Sequence, residues 1–139
     1  MSDTTPPRTI DVFFYGLYMD EAVLAAKGVK AREPRPAMVE GFGLLIGQRA
    51  TLVPRDGACA YGMVFALTHE EIEALYGELP AYRPEAVSAR LLAGRAVPAL
   101  CMNLSDPPAA TERNPEYAAK LRAVLERLAF PTDYVSAVT

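Results

Sequence analysis

The stretch Val12-Phe13-Phe14-Tyr15-Gly16-Leu17-Tyr18-Met19-Asp20 decides how the rest of the chain is read. Its apolar start belongs to a mostly buried strand over Ile10–Tyr15, with Asp11 at the entry. A few residues on, Asp20-Glu21 supplies helix-start chemistry, with acids in the first turn where the macrodipole favours them. One glycine between two tyrosines must therefore exchange a strand for a helix. Gly16 either permits a tight, close-packed turn, or it leaves backbone N–H groups free to hold a carboxylate or an oxyanion.

Working outward, the helix opened by Asp20-Glu21 runs through Ala26 and closes on Gly28. Upstream, residues 1–9 are polar and carry prolines, which fits a loose tail; residues 10–139 then form one domain. Downstream, Pro34-Arg35-Pro36, Gly41 and Gly43 punctuate short, bent strands with bulges. Ala50–Val53 reads as a strand, Pro54-Arg55-Asp56-Gly57 as a turn, and Ala58–Leu67 as the second arm of a hairpin. Thr68-His69-Glu70-Glu71 is a capping box that starts a helix to about Leu75 or Tyr76, stopped by Gly77. Strands follow over Ala86–Leu92 and Val97–Asn103, joined at Ala93-Gly94-Arg95. Asn114-Pro115 opens a helix with Tyr117, Leu121, Val124, Leu125 and Leu128 on its apolar face. Pro131-Thr132-Asp133 breaks it before a last helical turn. About six short strands joined by tight turns, with three or four helices, predict an α+β domain. Its sheet is small, bent and mostly antiparallel, or a small barrel, flanked by helices.

The chain has 139 residues, 51% of them hydrophobic and 22% charged, with a net charge of −3. A chain of this length buries roughly two-thirds of its unfolded surface and needs no metal or disulfide staple. No basic run or aromatic-basic interleaving points to nucleic acid. No apolar run reaches the roughly 18 residues that span a bilayer, and MSDTTPPRTI lacks the features of a secretory leader, so a cytoplasmic protein is expected. Cys59 and Cys101, outside any CxxC, read as free thiols, and one histidine, His69, is too few for a multi-histidine metal site.

Four features carry candidate chemistry. Beside the Gly16 turn stands Glu78, in Leu75-Tyr76-Gly77-Glu78-Leu79-Pro80. Apolar neighbours would raise the pKa of its carboxyl and suit it to proton exchange near neutrality; a solvated loop glutamate is the competing reading. Glu85 is a second carboxylate, expected to face water or pair with Arg83. Tyr15, Tyr18, Tyr61, Tyr76, Tyr82, Tyr117 and Tyr134 fall at element ends, where an aromatic body with a polar tip suits a pocket wall or a core rim. His69, in a helix's first turn with no Ser or Cys nearby, is expected to face solvent, and no GxSxG occurs.

In this order the stretches resemble the γ-glutamylcyclotransferase-like family, which includes γ-glutamylamine cyclotransferases and the plant avirulence-induced proteins. Tyr15-Gly16-Leu17-Tyr18 falls where the family has its tyrosine-glycine-serine/threonine loop, and Ala60-Tyr61-Gly62-Met63-Val64-Phe65 looks like its central strand. Glu78, four residues before Tyr82-Arg83, looks like the catalytic glutamate of a Leu-Asp-x-x-Glu-Gly…Tyr-x-Arg segment, although Ala74 and Leu75 stand for Leu-Asp and Leu79 for the glycine. Asn114–Tyr117 and Pro131–Val135 resemble the C-terminal helices. The resemblance implies an intramolecular acyl transfer: the α-amine of a γ-glutamyl amide attacks its own side-chain carbonyl, giving 5-oxoproline and a free amine. Ring closure is already unimolecular, so holding the reactive rotamer and shuttling one proton suffice. On that reading Glu78 is the acid/base. The main chain of Gly16, Leu17 and Tyr18 steadies the oxyanion or carboxylate, and Tyr15, Tyr82 and Tyr117 are walls. No metal or cofactor is implied; the partner is a small γ-glutamyl or amide substrate, and a homodimer is allowed for. The rival readings are a binding or regulatory domain that keeps the pocket without the chemistry, and an amide hydrolase.

Overall fold

The computed structural model describes residues 8–139. The first seven residues of the expected tail lie outside the described residues. Strand β1 (Ile10–Phe14) enters a single 3₁₀ turn (Leu17–Met19) and helix α1 (Glu21–Ala26); β2 (Arg32–Ile46) and β3 (Ala50–Leu67) follow. Helix α2 (His69–Tyr76), strands β4 (Tyr82–Leu91) and β5 (Ala96–Leu104), and helices α3 (Pro115–Arg127) and α4 (Thr132–Ser136) complete the order. The strands close into a barrel in the order β1-β3-β2-β4-β5, antiparallel except where β1 meets β5 at Val12↔Leu100. The bent sheet expected from the sequence is thus a mixed five-stranded barrel flanked by helices. Phe13, Phe65 and Leu67 of the barrel and Leu121 and Leu125 of α3 are fully buried in one apolar core.

The sequence predicted a turn at Pro54-Arg55-Asp56-Gly57, and the structure replaces it with a wide bulge. β3 pairs with β2 on both sides of that segment, Phe42↔Pro54 before it and Glu40↔Cys59 after it. Gly41 (φ 83°) and Gly57 (φ 78°) absorb the distortion, one on each strand. The two arms read as separate strands are therefore one, and the hairpin turns at residues 47–49 instead. Pairing with a common partner outweighs local turn preference here.

Caps fix the helices next to the barrel. Thr68 Oγ1 accepts the N–H of Glu71 at 3.2 Å, while Glu71 Oε1 accepts the N–H of Thr68 at 2.8 Å. The same carboxylate takes the N–H of Lys30 at 2.9 Å and pairs with Arg32 at 2.6 Å, so α2 is pinned to the start of β2. Burial pushes the Glu71 carboxyl up, but the Arg32 guanidinium and the two N–H groups outweigh it and bring the pKa down to about 2. Asp20 caps α1 through Ala22 N at 3.0 Å and reaches Arg127 of α3 at 2.9 Å.

Gly62 sets how closely β1 approaches β3. A Cβ at this position would collide with the Phe14 carbonyl oxygen and press to 2.9 Å from the Phe13 ring. Gly62→Val is expected to cost about 3 kcal/mol or more, because backbone rather than a mobile side chain must move. Urea unfolding measures it; a loss below about 1 kcal/mol would mean that the strands are free to part.

Candidate functional site

β1 ends at one mouth of the barrel, and the residues that follow it wall a cavity of about 320 Å³. Phe14 to Tyr18 form one wall, Gln48, Arg49 and Ala50 of the β2–β3 turn another, and Tyr76, Leu79, Tyr82 and Tyr117 most of the remainder. This volume lies at the lower end of small-molecule sites, and the walls are mainly aromatic.

The turn at Gly16 has a steric cause. Gly16 is extended (φ −112°), so it needs no left-handed backbone. A Cβ there would overlap the Tyr117 hydroxyl, and that hydroxyl accepts the N–H of Leu17 at 3.3 Å. Asn114 Oδ1 holds the N–H of Tyr117 at 3.2 Å, so the α3 cap orients the side chain that props the loop. The N–H groups of Met19 and Asp20 close the turn on Gly16 O and Leu17 O at 3.0 and 3.1 Å. Those of Gly16 and Tyr18 have no partner among the described residues. The glycine therefore allows close approach, and two amides remain uncommitted beside it.

Five tyrosines share the cavity. The Tyr15 hydroxyl donates to Met102 O at 2.6 Å and that of Tyr82 to Ala50 O at 2.7 Å, which anchors both rings as walls. Tyr18 and Tyr76 meet edge to face at 5.7 Å, and Tyr76 and Tyr82 at 5.6 Å, typical of favourable aromatic pairs. Burial and the neighbouring phenols hold Tyr76 well above the ordinary tyrosine range, and Tyr15 likewise through burial and the adjacent Cys101 thiol. Tyr82 is pushed up to about 12 by burial and by Tyr117, with Arg49 pulling the other way. Every phenol here is a neutral hydrogen-bonding group at physiological pH.

Among the sequence-predicted site residues, Tyr15, Gly16, Leu17, Tyr18, Tyr82 and Tyr117 all line this cavity. Glu78 does not: it is exposed and lies outside the lining. The reason is helix phase. α2 buries Ile72 and Leu75 and ends at Tyr76, and Gly77 continues the right-handed twist (φ −59°, ψ −28°). At about 100° per residue, position 78 points well away from position 76. Tyr76 takes the place in the cavity expected of Glu78.

Glu85 faces water, as expected, and does not pair with Arg83. It accepts the amide of buried Asn103 at 3.0 Å, while Arg83 goes to Ser105 at 2.9 Å. His69 is exposed, 4.0 Å from Glu73. Arg49 and Gln48 were not foreseen; hairpin closure brings them to the cavity, and it was the misplaced turn that hid them. Among the described residues, no cluster of three or more His, Cys, Asp or Glu side chains forms a metal site. None of the helices among them is long and apolar enough to cross a membrane.

Comparison with solved structures returns the same architecture at low sequence identity. A protein described as a gamma-glutamyl cyclotransferase superposes with a TM-score of 0.76 at 14% identity, covering 94% of this chain and 88% of its own. The human protein loc79017, described as uncharacterized, gives 0.77 at 15% identity, covering 95% and 89%. YkqA from Bacillus subtilis gives 0.78 at 21% identity, covering 92% of this chain and 52% of its own. No curated protein matches. The family model for Gamma-glutamyl cyclotransferase, AIG2-like matches residues 12–118. That span runs from β1 through the start of α3, so it takes in both walls that meet at Gly16, and this chain belongs to the γ-glutamyl cyclotransferase, AIG2-like family.

Proposed function

We propose that this chain is a ligand-binding member of its family, whose cavity holds a small molecule without cyclising it. One observation carries the reading: among the described residues, no Asp or Glu lines the cavity. Cyclisation of a γ-glutamyl amide takes a proton from the attacking amine and gives one to the leaving amine. A phenol held above its ordinary range, as Tyr76 is, makes a poor base for the first step. The binding features persist, in the aromatic walls, the uncommitted amides of Gly16 and Tyr18, and Arg49. The reading carries with it a small-molecule partner and a cytoplasmic setting, in line with the acidic, soluble-type composition.

A second reading, cyclotransfer with Glu78 as acid/base, is favoured by one contact: its neighbour Leu79 lines the cavity. It requires the 77–81 turn to rotate Glu78 inward. Incubation with γ-glutamyl peptides and amines separates the two. Ligand binding without turnover predicts a melting temperature raised by a few degrees at ligand well above Kd, and 5-oxoproline no faster than the uncatalysed rate. Turnover would end the binding-only reading. A further loss of 10²- to 10⁴-fold in Glu78→Gln would then assign the proton to Glu78.

A further inference from the structure

The hydrogen-bonding groups of the cavity are unbalanced. Arg49 makes no ion pair among the described residues, although it stands in the wall. The hydroxyls of Tyr18 and Tyr76 have no partner among the described residues, and that of Tyr117 accepts from Leu17 and keeps its own proton to give. Only Tyr15 and Tyr82 spend their protons inside the protein. Against these donors the lining offers no carboxylate. A ligand that complements such a site brings acceptors and negative charge, and it brings an apolar body to meet the rings.

We propose that the cavity selects a small carboxylate with a flat apolar body and no ammonium group, its carboxylate on Arg49 and its body among Tyr18, Tyr76 and Tyr82. The proposal rests on the ligand-binding reading above and names its ligand class. An amino acid, or the amino-acid end of a γ-glutamyl compound, carries an α-ammonium beside its carboxylate. In this cavity that ammonium would find no anion, and it would lie near a guanidinium of like charge. Tyrosine faces also attract cations, which gives an opposing preference of its own. The two preferences are separable with ligands built on one frame.

The probes are 3-phenylpropanoate, its neutral amide 3-phenylpropanamide, and phenylalanine, which adds only the ammonium. Titration calorimetry at neutral pH is expected to rank the acid at least tenfold above phenylalanine and roughly tenfold above the amide, the effect of a charge-assisted contact. Arg49→Gln is expected to bring the acid-over-amide ratio close to one; Arg49 is exposed, and an unchanged melting temperature will verify that the variant folds. Phenylalanine equal to or tighter than the acid overturns the proposal, as does a ratio that Arg49→Gln leaves intact. If phenylalanine or a γ-glutamyl amide binds while the acid does not, the ligand class falls and the binding reading stands. If no probe binds and no γ-glutamyl compound shifts the melting temperature, both fall together.

Discussion

Tyr76→Glu is expected to raise the cyclotransferase activity of this protein above that of its parent, with 5-oxoproline released from γ-glutamyl amides 10²- to 10⁴-fold faster. That range is what a positioned proton carrier contributes. Position 76 is the point where α2 delivers a side chain into the cavity, within aromatic contact of Tyr18 and Tyr82 and in one lining with Gly16 and Tyr18, whose amides are uncommitted. A carboxyl there loses water on every side but the mouth, which raises its pKa toward the range where it both takes and gives a proton. Arg49, in the same lining, opposes that rise. Tyr76→Gln is the control, since it matches glutamate in shape and carries no exchangeable carboxyl proton. Rates for the two variants, with melting temperatures to show that each is folded, decide the matter. A glutamate variant no faster than the glutamine variant would mean that the cavity does not hold a γ-glutamyl group in its reactive rotamer. A parent that already cyclises its substrate would remove the premise.

The features legible in the sequence were those decided locally. The Thr68–Glu71 box, the helix start at Asp20-Glu21 and the Asn114-Pro115 start each involve groups within a few residues, and all three helices begin where read, with Asp20 as the cap of its helix. The same holds for Gly16, since a glycine between tyrosines after an apolar strand admits few explanations. What the sequence hid was long-range. Pro54-Arg55-Asp56-Gly57 has the composition of a turn, yet β2 runs alongside it and forces a bulge. That error concealed the real turn and with it Arg49. The position of Glu78 was subtler: its side chain is exposed and outside the cavity lining, because two residues of helix twist separate it from Tyr76. Residue type pointed to position 78; helix phase puts Tyr76, not Glu78, in the cavity wall.

Raising the pH above 10 is expected to unfold the protein cooperatively, and tyrosines shielded from water are the cause. Below pH 10 a buried phenol is neutral in the folded and unfolded chains alike, so its full contribution to stability is present. Above pH 10 the unfolded chain sheds the proton while the folded one keeps it, and stability falls until the folded pKa is passed. Each such phenol removes about 1.4 kcal/mol per pH unit. Tyr15 and Tyr76 are held well above 10 by burial first and by their neighbours second, and burial pushes Tyr134 up to about 12. Together these three give a slope of about 4 kcal/mol per pH unit, against the 5–15 kcal/mol that holds a typical domain. Tyr82, also near 12 but more open to solvent, adds less. Ultraviolet absorbance of tyrosinate and circular dichroism, followed together, are expected to move in one step between about pH 10.5 and 12. Tyr76→Phe tests the assignment, because the Tyr76 hydroxyl has no partner among the described residues and its loss leaves stability at pH 7 nearly unchanged. In that variant the alkaline midpoint should rise and the slope should fall by one proton. If all the phenols of the parent titrate near pH 10 with the circular dichroism intact, water reaches every ring, and a cavity open to that degree has no dry wall against which Arg49 or an installed carboxyl could act.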